Sequence, residues 1–589
     1  MSAEALHESS SPAGRQIEAG DSMQSTRRSA IGTWVVVAGI VAASAAANIW
    51  YVTHAPLDLS ADETHYWEWS QRLDWSYYSK GPLVACIIAL GRLFFSGMDA
   101  DPVFVETLAI RVPAVLLSAL TSLGMFLLSR RVFQSDRVAI VTLMLTLTVP
   151  ILGIGSIFMT TDVPMVCLWT WALLLFAHAV ERNSFIAWTF GGILVALGIL
   201  AKYTMVLIFP SVGLVLLLDR VGRQRLGTPG PYTGLAVGLL GFVPVLIWNM
   251  DHGWMSFRHV AGQTGVTGGG YNPLGPVEMI LGQAVAFNPV WFAMMYFVFG
   301  EVRRAWSPRT TESGRADLEA TFPAPPVQST GRNLLVAATL VVACVYILFS
   351  FVTKIQPNWP VPALVPATCL LADWLVRAFV AGSLRIRRRL AGVSAAAAVF
   401  GVVLIIVSRD TTPLMPIFAW LARNEPPWQL TPVAKYDPAS RLRGWSQLGS
   451  EVAALLEAER ADGNDPMILT DHYQSASAIA FYARRDPSFP PEVYCIQSAV
   501  GGRLNQYDVW MNPITSPEQF YGRRSLYVGS MRHEAIFPKE GTGALGRTEF
   551  VRAVEHVVGE HPVRISPVVR GLRFEGFDAS NQSQLIRKY

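Results

Sequence analysis

Ser60-Ala61-Asp62-Glu63-Thr64-His65-Tyr66-Trp67-Glu68-Trp69, then Tyr77-Tyr78-Ser79-Lys80-Gly81-Pro82, lies between one apolar run at 31–51 and another at 108–128. Each run is long enough to cross a bilayer, which takes about 20 apolar residues as helix. Two adjacent carboxylates, a dense aromatic group and a lysine therefore sit on the first loop of a membrane protein. A loop that merely joins two spans needs none of these groups.

Working outward, further apolar runs fall at 138–157, 163–180, 185–201, 203–219, 232–250, 279–299, 333–352, 360–380 and 391–408. With the first two they make eleven candidate spans, and the reading allows about 11–13 transmembrane helices. Residues 83–96 are apolar but short and are expected to lie at the interface. The composition agrees: 51% of the 589 residues are hydrophobic and 15% charged, against about 25% charged in soluble domains. A signal-peptide reading of the first run, with its Ala-Ser-Ala-Ala-Ala stretch, is disfavoured by its length and by the spans that follow. Five scattered cysteines offer neither a disulfide framework nor a zinc spacing.

Basic clusters at Arg27/Arg28, Arg130/Arg131/Arg137, Arg182, Arg220/Arg223/Arg225, Arg303/Arg304/Arg309/Arg315 and Arg385–Arg389 all fall on one side if eleven spans alternate from a cytosolic N-terminus. The positive-inside rule asks for this arrangement. The expected organisation is a disordered cytosolic tail (1–30) and a transmembrane domain (31–423). The latter has a first outer loop at 52–107 and a flexible cytosolic loop at 301–332. From 424 to 589 charge rises and long apolar runs vanish. Short β-like segments at Met467–Thr470, Glu492–Ile496 and Ser525–Val528, with an amphipathic helix at 445–460, predict an extracytoplasmic α/β domain. The expected setting is the plasma (inner) membrane.

Ionisable residues without a basic cluster gather on the outer face. Asp62 and Glu63 read either as a solvated pair or as carboxylates that accept or orient a proton. Asp162, in Thr161-Asp162-Val163-Pro164, reads as a helix N-cap or as a second site carboxylate. Lys80, Lys202, Arg258 and Lys354 are each snorkelling anchors taken singly. Converging on one side, with Arg111 joining them, they would grip a phosphate whose charge grows as a bond breaks. His65, His252 and His259 lack the spacing of a metal site, so no cofactor is expected and a divalent metal is unsupported. Nothing points to nucleic acid.

These residues resemble the family 39 glycosyltransferases, which include protein mannosyltransferases and the aminoarabinose transferases of lipid A. The resemblance rests on the acidic pair with its aromatic stretch and on Tyr77 to Leu83. It continues through Arg111-Val112-Pro113, Thr161 to Pro164, Ala201-Lys202-Tyr203-Thr204, Ile247-Trp248-Asn249 and His252-Gly253-Trp254. Gln356-Pro357-Asn358-Trp359-Pro360, Arg443-Gly444-Trp445 and Tyr507-Asp508-Val509-Trp510 complete it.

It implies a GT-C fold and transfer of one sugar, with inversion, from a polyprenyl-phosphate donor to a lipid, glycan or protein acceptor. It further implies that Asp62 is the catalytic carboxylate, with Asp162 the aspartate of the Asp-x-Pro element and Lys80 near the donor phosphate. Glu63 acts or supports Asp62. Lys202, Arg258, Arg111, Tyr66, His65 and Tyr78 complete the expected donor site. Two positions depart from the aminoarabinose transferases: His65 stands in place of arginine, and Ser79 in place of a glutamate linked to bound metal. The second departure argues against metal and against the same sugar. A polytopic lipid or sugar transporter or flippase, or a glycan polymerase or ligase, is the competing reading.

Overall fold

The computed structural model describes residues 12–263, 270–306, 330–426, 429–484, 490–529 and 543–577, with only the backbone described at 12–30, 304–306 and 543. Residues 1–11 of the expected tail and 307–329 of the expected cytosolic loop lie outside the described residues. From Pro12 the chain is already helical and runs unbroken to His54, where a disordered tail to residue 30 was expected.

Every apolar run becomes helix. Among the described residues seven helices are long and apolar enough to cross a membrane: Ile31–His54, Pro102–Phe133, Asp162–Arg182, Gly230–Asp251, Thr330–Ser350, Val361–Ala381 and Leu384–Arg409. An eighth span is formed if Gly275–Phe287 and Pro289–Arg303 count together, although they meet at 111°. The straight span expected at 279–299 is thus bent, because Asn288 has φ +86° and Pro289 follows it. The Asn288 side chain meets the opened backbone, its Oδ1 accepting from Val290 N at 3.0 Å, and its Nδ2 donates to Ala397 O on a neighbouring helix at 2.7 Å. The remaining runs are shorter helices, Phe185–Ala201 and Tyr203–Leu218, and Asp136–Thr148 with Pro150–Gly155, broken at Pro150.

Contacts at the helix ends sort the loops into two sets. At one end Arg131 pairs with Glu181 at 2.9 Å, Arg377 with Glu301 at 2.7 Å, and Asn333 donates to Asp219 at 2.7 Å. At the other, Lys202 meets Asp162, Trp248 Nε1 donates to Asp74 at 2.8 Å, and Arg409 donates to Ser156 Oγ at 3.0 Å. The short helices run between the same two ends as the long ones. Large apolar side chains such as Leu120, Leu217, Leu240, Phe400 and Ile406 face outward along the bundle, as a lipid-facing surface requires.

The C-terminal domain holds a five-stranded sheet of order β2-β1-β3-β5-β4. Its strands are β1 (Met467–Thr470), β2 (Val493–Cys495), β3 (Ser525–Val528), β4 (Thr548–Val558) and β5 (His561–Gly571). β1 pairs in parallel with β2 and β3, and β5 joins β3 and β4 antiparallel. The helix Trp445–Ala461 and a second, Tyr473–Tyr482, pack together beside the sheet. The long β4–β5 hairpin was not foreseen: register shifts at Phe550/Arg552 and His556/Val557 break the alternation that would announce it.

This domain shares a core with the first loop. Trp67, Trp69, Tyr77 and Ile88 are buried in one cluster with Trp445, Leu448, Val452, Ile479 and Phe481. Leu59 N donates to Tyr482 OH at 2.7 Å and Trp445 N to Asp58 at 2.7 Å. Burial of so much aromatic surface, at about 25 cal/mol per Å2, makes loop and domain one body.

Candidate active site

The first loop is not an open loop at its acidic pair. Ser60 caps a helix, Ala61–Gln71, in a reciprocal capping box: Glu63 N donates to Ser60 Oγ, and Ser60 N donates to Glu63 Oε2 at 2.8 Å. The two acids occupy the first turn, where the helix dipole favours negative charge. Their fates then diverge. Glu63 is fully buried and takes Arg111 on both oxygens at 3.2 Å, with Met159 N as a further donor at 3.2 Å. Asp62, one position earlier, is exposed to a cavity of about 2040 Å3.

Asp162 lines the same cavity. Thr161 occupies the N-cap position without a capping hydrogen bond, and Asp162 is the first residue of its helix. Its carboxylate is held from two sides, by Lys202 Nζ at 2.6 Å and by Asn358 Nδ2 at 2.7 Å. Lys202 ends the helix Phe185–Ala201. Asn358 belongs to the Gln356–Pro360 motif but was not singled out as a site residue, and its exposed amide beside a span was the available signal.

Lys80 is half-buried and sits within electrostatic reach of Lys202, Asp162, Asp62 and Arg503. Burial, with Lys202 alongside, pulls its ammonium down from 10.5 to about 8. Gly81 sets this position. A Cβ there would meet Leu200 O at 2.4 Å, so only glycine lets the loop close on the helix end that carries Lys202. His259 is held neutral, its pKa lowered to about 3 by burial and then by Lys80 and Arg503.

Of the expected site residues, then, Asp62 and Asp162 line the cavity together, with Lys202 and Lys80 behind them. The rest are placed elsewhere. Glu63 and Arg111 form a buried pair and do not line the cavity. Arg258 is exposed and lines no part of the cavity. Tyr66, His65 and Tyr78 are buried and support the loop: Tyr66 packs edge-on to Trp69, His65 lies between Trp69, Tyr473 and Tyr507, and Tyr78 meets His259.

Sequence reasoning missed the contribution of the C-terminal domain. His472, Tyr473, Gln474 and Arg503 line the cavity beside Asp62. Farther down, the walls are apolar side chains such as Val41, Leu147, Val402 and Ile405. Three aspartates line the cavity. Asp162 is paired with Lys202 and Asp437 with Arg443 at 3.0 Å, whereas Asp62 has no ion pair among the described residues. Among the described residues no three His, Cys, Asp or Glu side chains assemble as a metal-ligand set.

The family described as dolichyl-phosphate-mannose-protein mannosyltransferase matches residues 79–248. A lipid A galacturonosyltransferase of Rhizobium johnstonii is 27% identical over 434 residues, covering 73% of this chain and 79% of that protein. The crystal structure of ArnT from Cupriavidus metallidurans bound to undecaprenyl phosphate superposes with a TM-score of 0.57 at 17% identity, covering 91% of this chain and 98% of ArnT. Its apo form gives 0.52 at 15%, covering 92% and 98%. The chain is a membrane glycosyltransferase with the GT-C fold. An inverting glycosyltransferase must hold a leaving group and an acceptor on opposite sides of one anomeric carbon. The cavity of this enzyme joins a carboxylate unpaired among the described residues, the Arg503 side chain and an apolar run in one connected space, with Lys202 and Lys80 behind its wall.

Proposed function

We propose that this glycosyltransferase moves one sugar from a polyprenyl-phosphate carrier to a lipid acceptor at the extracytoplasmic face of the inner membrane, inverting the anomeric centre. The observation that carries this reading is Asp62, the cavity-lining carboxylate left unpaired among the described residues. Three further features support it. The apolar walls around Val41, Val402 and Ile405 suit a prenyl chain. The ArnT neighbour is named with undecaprenyl phosphate bound, and the Rhizobium relative is named for lipid A as acceptor. The basic clusters lie at the bundle end away from the cavity's acidic pair, as an outward-facing site requires.

The chemistry follows from the groups. A phosphodiester donor leaves as a lipid phosphate, already a weak base, so its departure calls for stabilisation of charge rather than a general acid. Lys80, together with the Lys202–Asp162 pair, supplies that field in a partly dehydrated pocket. Asp62 accepts the proton of the acceptor hydroxyl, or holds the hydroxyl in line, on the far side of the sugar. Asn358 keeps Asp162 turned toward Lys202, which fixes the ion pair beside the leaving group.

The test is direct. Purified full-length enzyme is incubated with polyprenyl-phosphate sugars and with lipid, glycan or peptide acceptors, and radiolabelled product is followed. Lipid product formed only from the polyprenyl-phosphate donor is the expected result. Product from a nucleotide sugar, or on peptide alone, overturns the reading.

A pH prediction accompanies it. Lys80 carries its charge below about pH 8 and loses it above, so kcat/KM for the donor falls with an alkaline limb near pH 8. That parameter reports the free enzyme. Lys80→Arg, charged throughout, moves the limb upward by more than one pH unit, whereas Lys80→Ala raises the donor KM roughly tenfold and removes the limb. A profile with the same limb in all three proteins would release Lys80 from this role.

A further inference from the structure

The C-terminal domain reaches into the cavity at one place that the reaction above leaves unexplained. Arg503 lines it, with Nη2 at 3.4 Å from Tyr473 OH and the guanidinium 5.6 Å from the Tyr473 ring. Among the described residues it meets no carboxylate in an ion pair, and the same holds for Lys80. Yet Arg503 is within electrostatic reach of Lys80 and of His259. Asp62 and Asp162 lie within the same reach of Lys80, but among the described residues neither pairs with it or with Arg503, so both cations keep hydrogen-bonding positions open for an anion placed between them.

Arg503 is also tied physically to Lys80. Three residues on, Gln506 Oε1 accepts from Tyr78 N at 2.7 Å, two residues before Lys80. Next to it, Tyr507 OH donates to Glu68 on the first-loop helix. Asn505, fixed by a capping box with Asp508, starts the turn that presents Gln506 and Tyr507. One short stretch, 503–507, therefore docks on the lysine loop and carries a guanidinium that lines the cavity within electrostatic reach of Lys80.

We infer that Arg503 is a catalytic residue supplied by the C-terminal domain, forming with Lys80 a two-pronged clamp on the donor's phosphate. The inference rests on the proposed reaction and makes the domain part of the catalytic centre rather than a separate acceptor module. A phosphodiester offers two non-bridging oxygens, one for each cation. Arginine keeps its charge at every accessible pH, while Lys80 is near its own pKa. As the sugar–oxygen bond breaks, its electron pair stays on the phosphate oxygen, and the second negative charge falls between the two cations.

The experiment uses the full-length enzyme in nanodiscs and measures binding of polyprenyl phosphate and, separately, of the uncharged polyprenol, with turnover on the sugar-loaded donor. Arg503→Ala is expected to weaken polyprenyl phosphate binding by about tenfold or more and to lower kcat. Polyprenol binding should stay within about twofold of wild type, and Arg503→Lys should recover part of the loss. Arg523→Ala, on an exposed pair with Glu492 away from the cavity, controls for loss of a surface charge and leaves both unchanged. Equal loss of polyprenol and polyprenyl phosphate binding would make Arg503 structural and overturn the clamp. So would loss confined to a phosphate-bearing lipid acceptor, or no loss at all. A wild type that binds polyprenyl phosphate through Arg503 yet transfers no sugar upholds the clamp and sinks the proposed reaction instead.

Discussion

Asp62→Asn lowers kcat by about 10²- to 10⁴-fold, the range that a positioned general base contributes, and leaves donor binding nearly intact. The substitution keeps size and hydrogen-bonding shape while removing the capacity to take a proton. Asp62 makes no ion pair among the described residues, so no partner is stranded when its charge goes. The local cost is the loss of one favourable charge in the first turn of the helix Ala61–Gln71, about 0.3–1 kcal/mol. Thermal unfolding should therefore move by only a few degrees. Affinity for polyprenyl phosphate should stay within about threefold, because the cations that meet the phosphate are untouched. Steady-state turnover, binding and melting measured on one preparation separate chemistry from folding. Turnover within threefold of wild type would remove Asp62 from the reaction, and a cavity carboxylate left unpaired among the described residues would need another explanation.

The bundle was legible because bilayer crossing imposes a length and a composition that each run meets by itself, and because arginine clusters mark one side. The bend at Asn288 was less so: a hydropathy window averages over the break, and only the Asn288-Pro289 pair signals it. Short strands such as Met467–Thr470 stood out as β-branched or apolar runs between turns. The β4–β5 hairpin did not, since two register shifts disrupt its period.

At the site, Asp62 and Asp162 could be nominated by residue type and sidedness. Arg503 and Tyr473 could not, for they reach Asp62 only after some 400 residues of chain have folded back. Glu63 is the instructive case, because its signal was present. Ser60-Ala61-Asp62-Glu63 is a capping-box sequence, and a glutamate at its fourth position is committed to the backbone of the first. The same four residues thus separate the carboxylate that holds the loop from the one that is free to react.

That separation makes its own prediction, on stability. Glu63 and Arg111 are 0% and 2% exposed in their side chains, and Arg111 also donates to Asp58 O at 3.0 Å. Glu63→Gln or Arg111→Met leaves the surviving partner buried without its counter-charge, which costs about 3–5 kcal/mol. Such a loss is at least about a fifth of the roughly 5–15 kcal/mol that stabilises an ordinary domain. The half-life of the purified enzyme at 40 °C should fall by more than tenfold for either variant, with weaker association of the C-terminal domain, since Asp58 and Leu59 anchor Trp445 and Tyr482. The double variant Glu63→Gln/Arg111→Met buries no lone charge and keeps a glutamine oxygen for Ser60 N. It should be less destabilised than the two single losses added together, a coupling that a double-mutant cycle reads directly. Residual activity per folded molecule should exceed that of Asp62→Asn in each case, because the base is displaced rather than deleted. Glu63→Gln as stable as wild type but inactive would reverse the assignment, making the buried glutamate the reacting group and Asp62 its support.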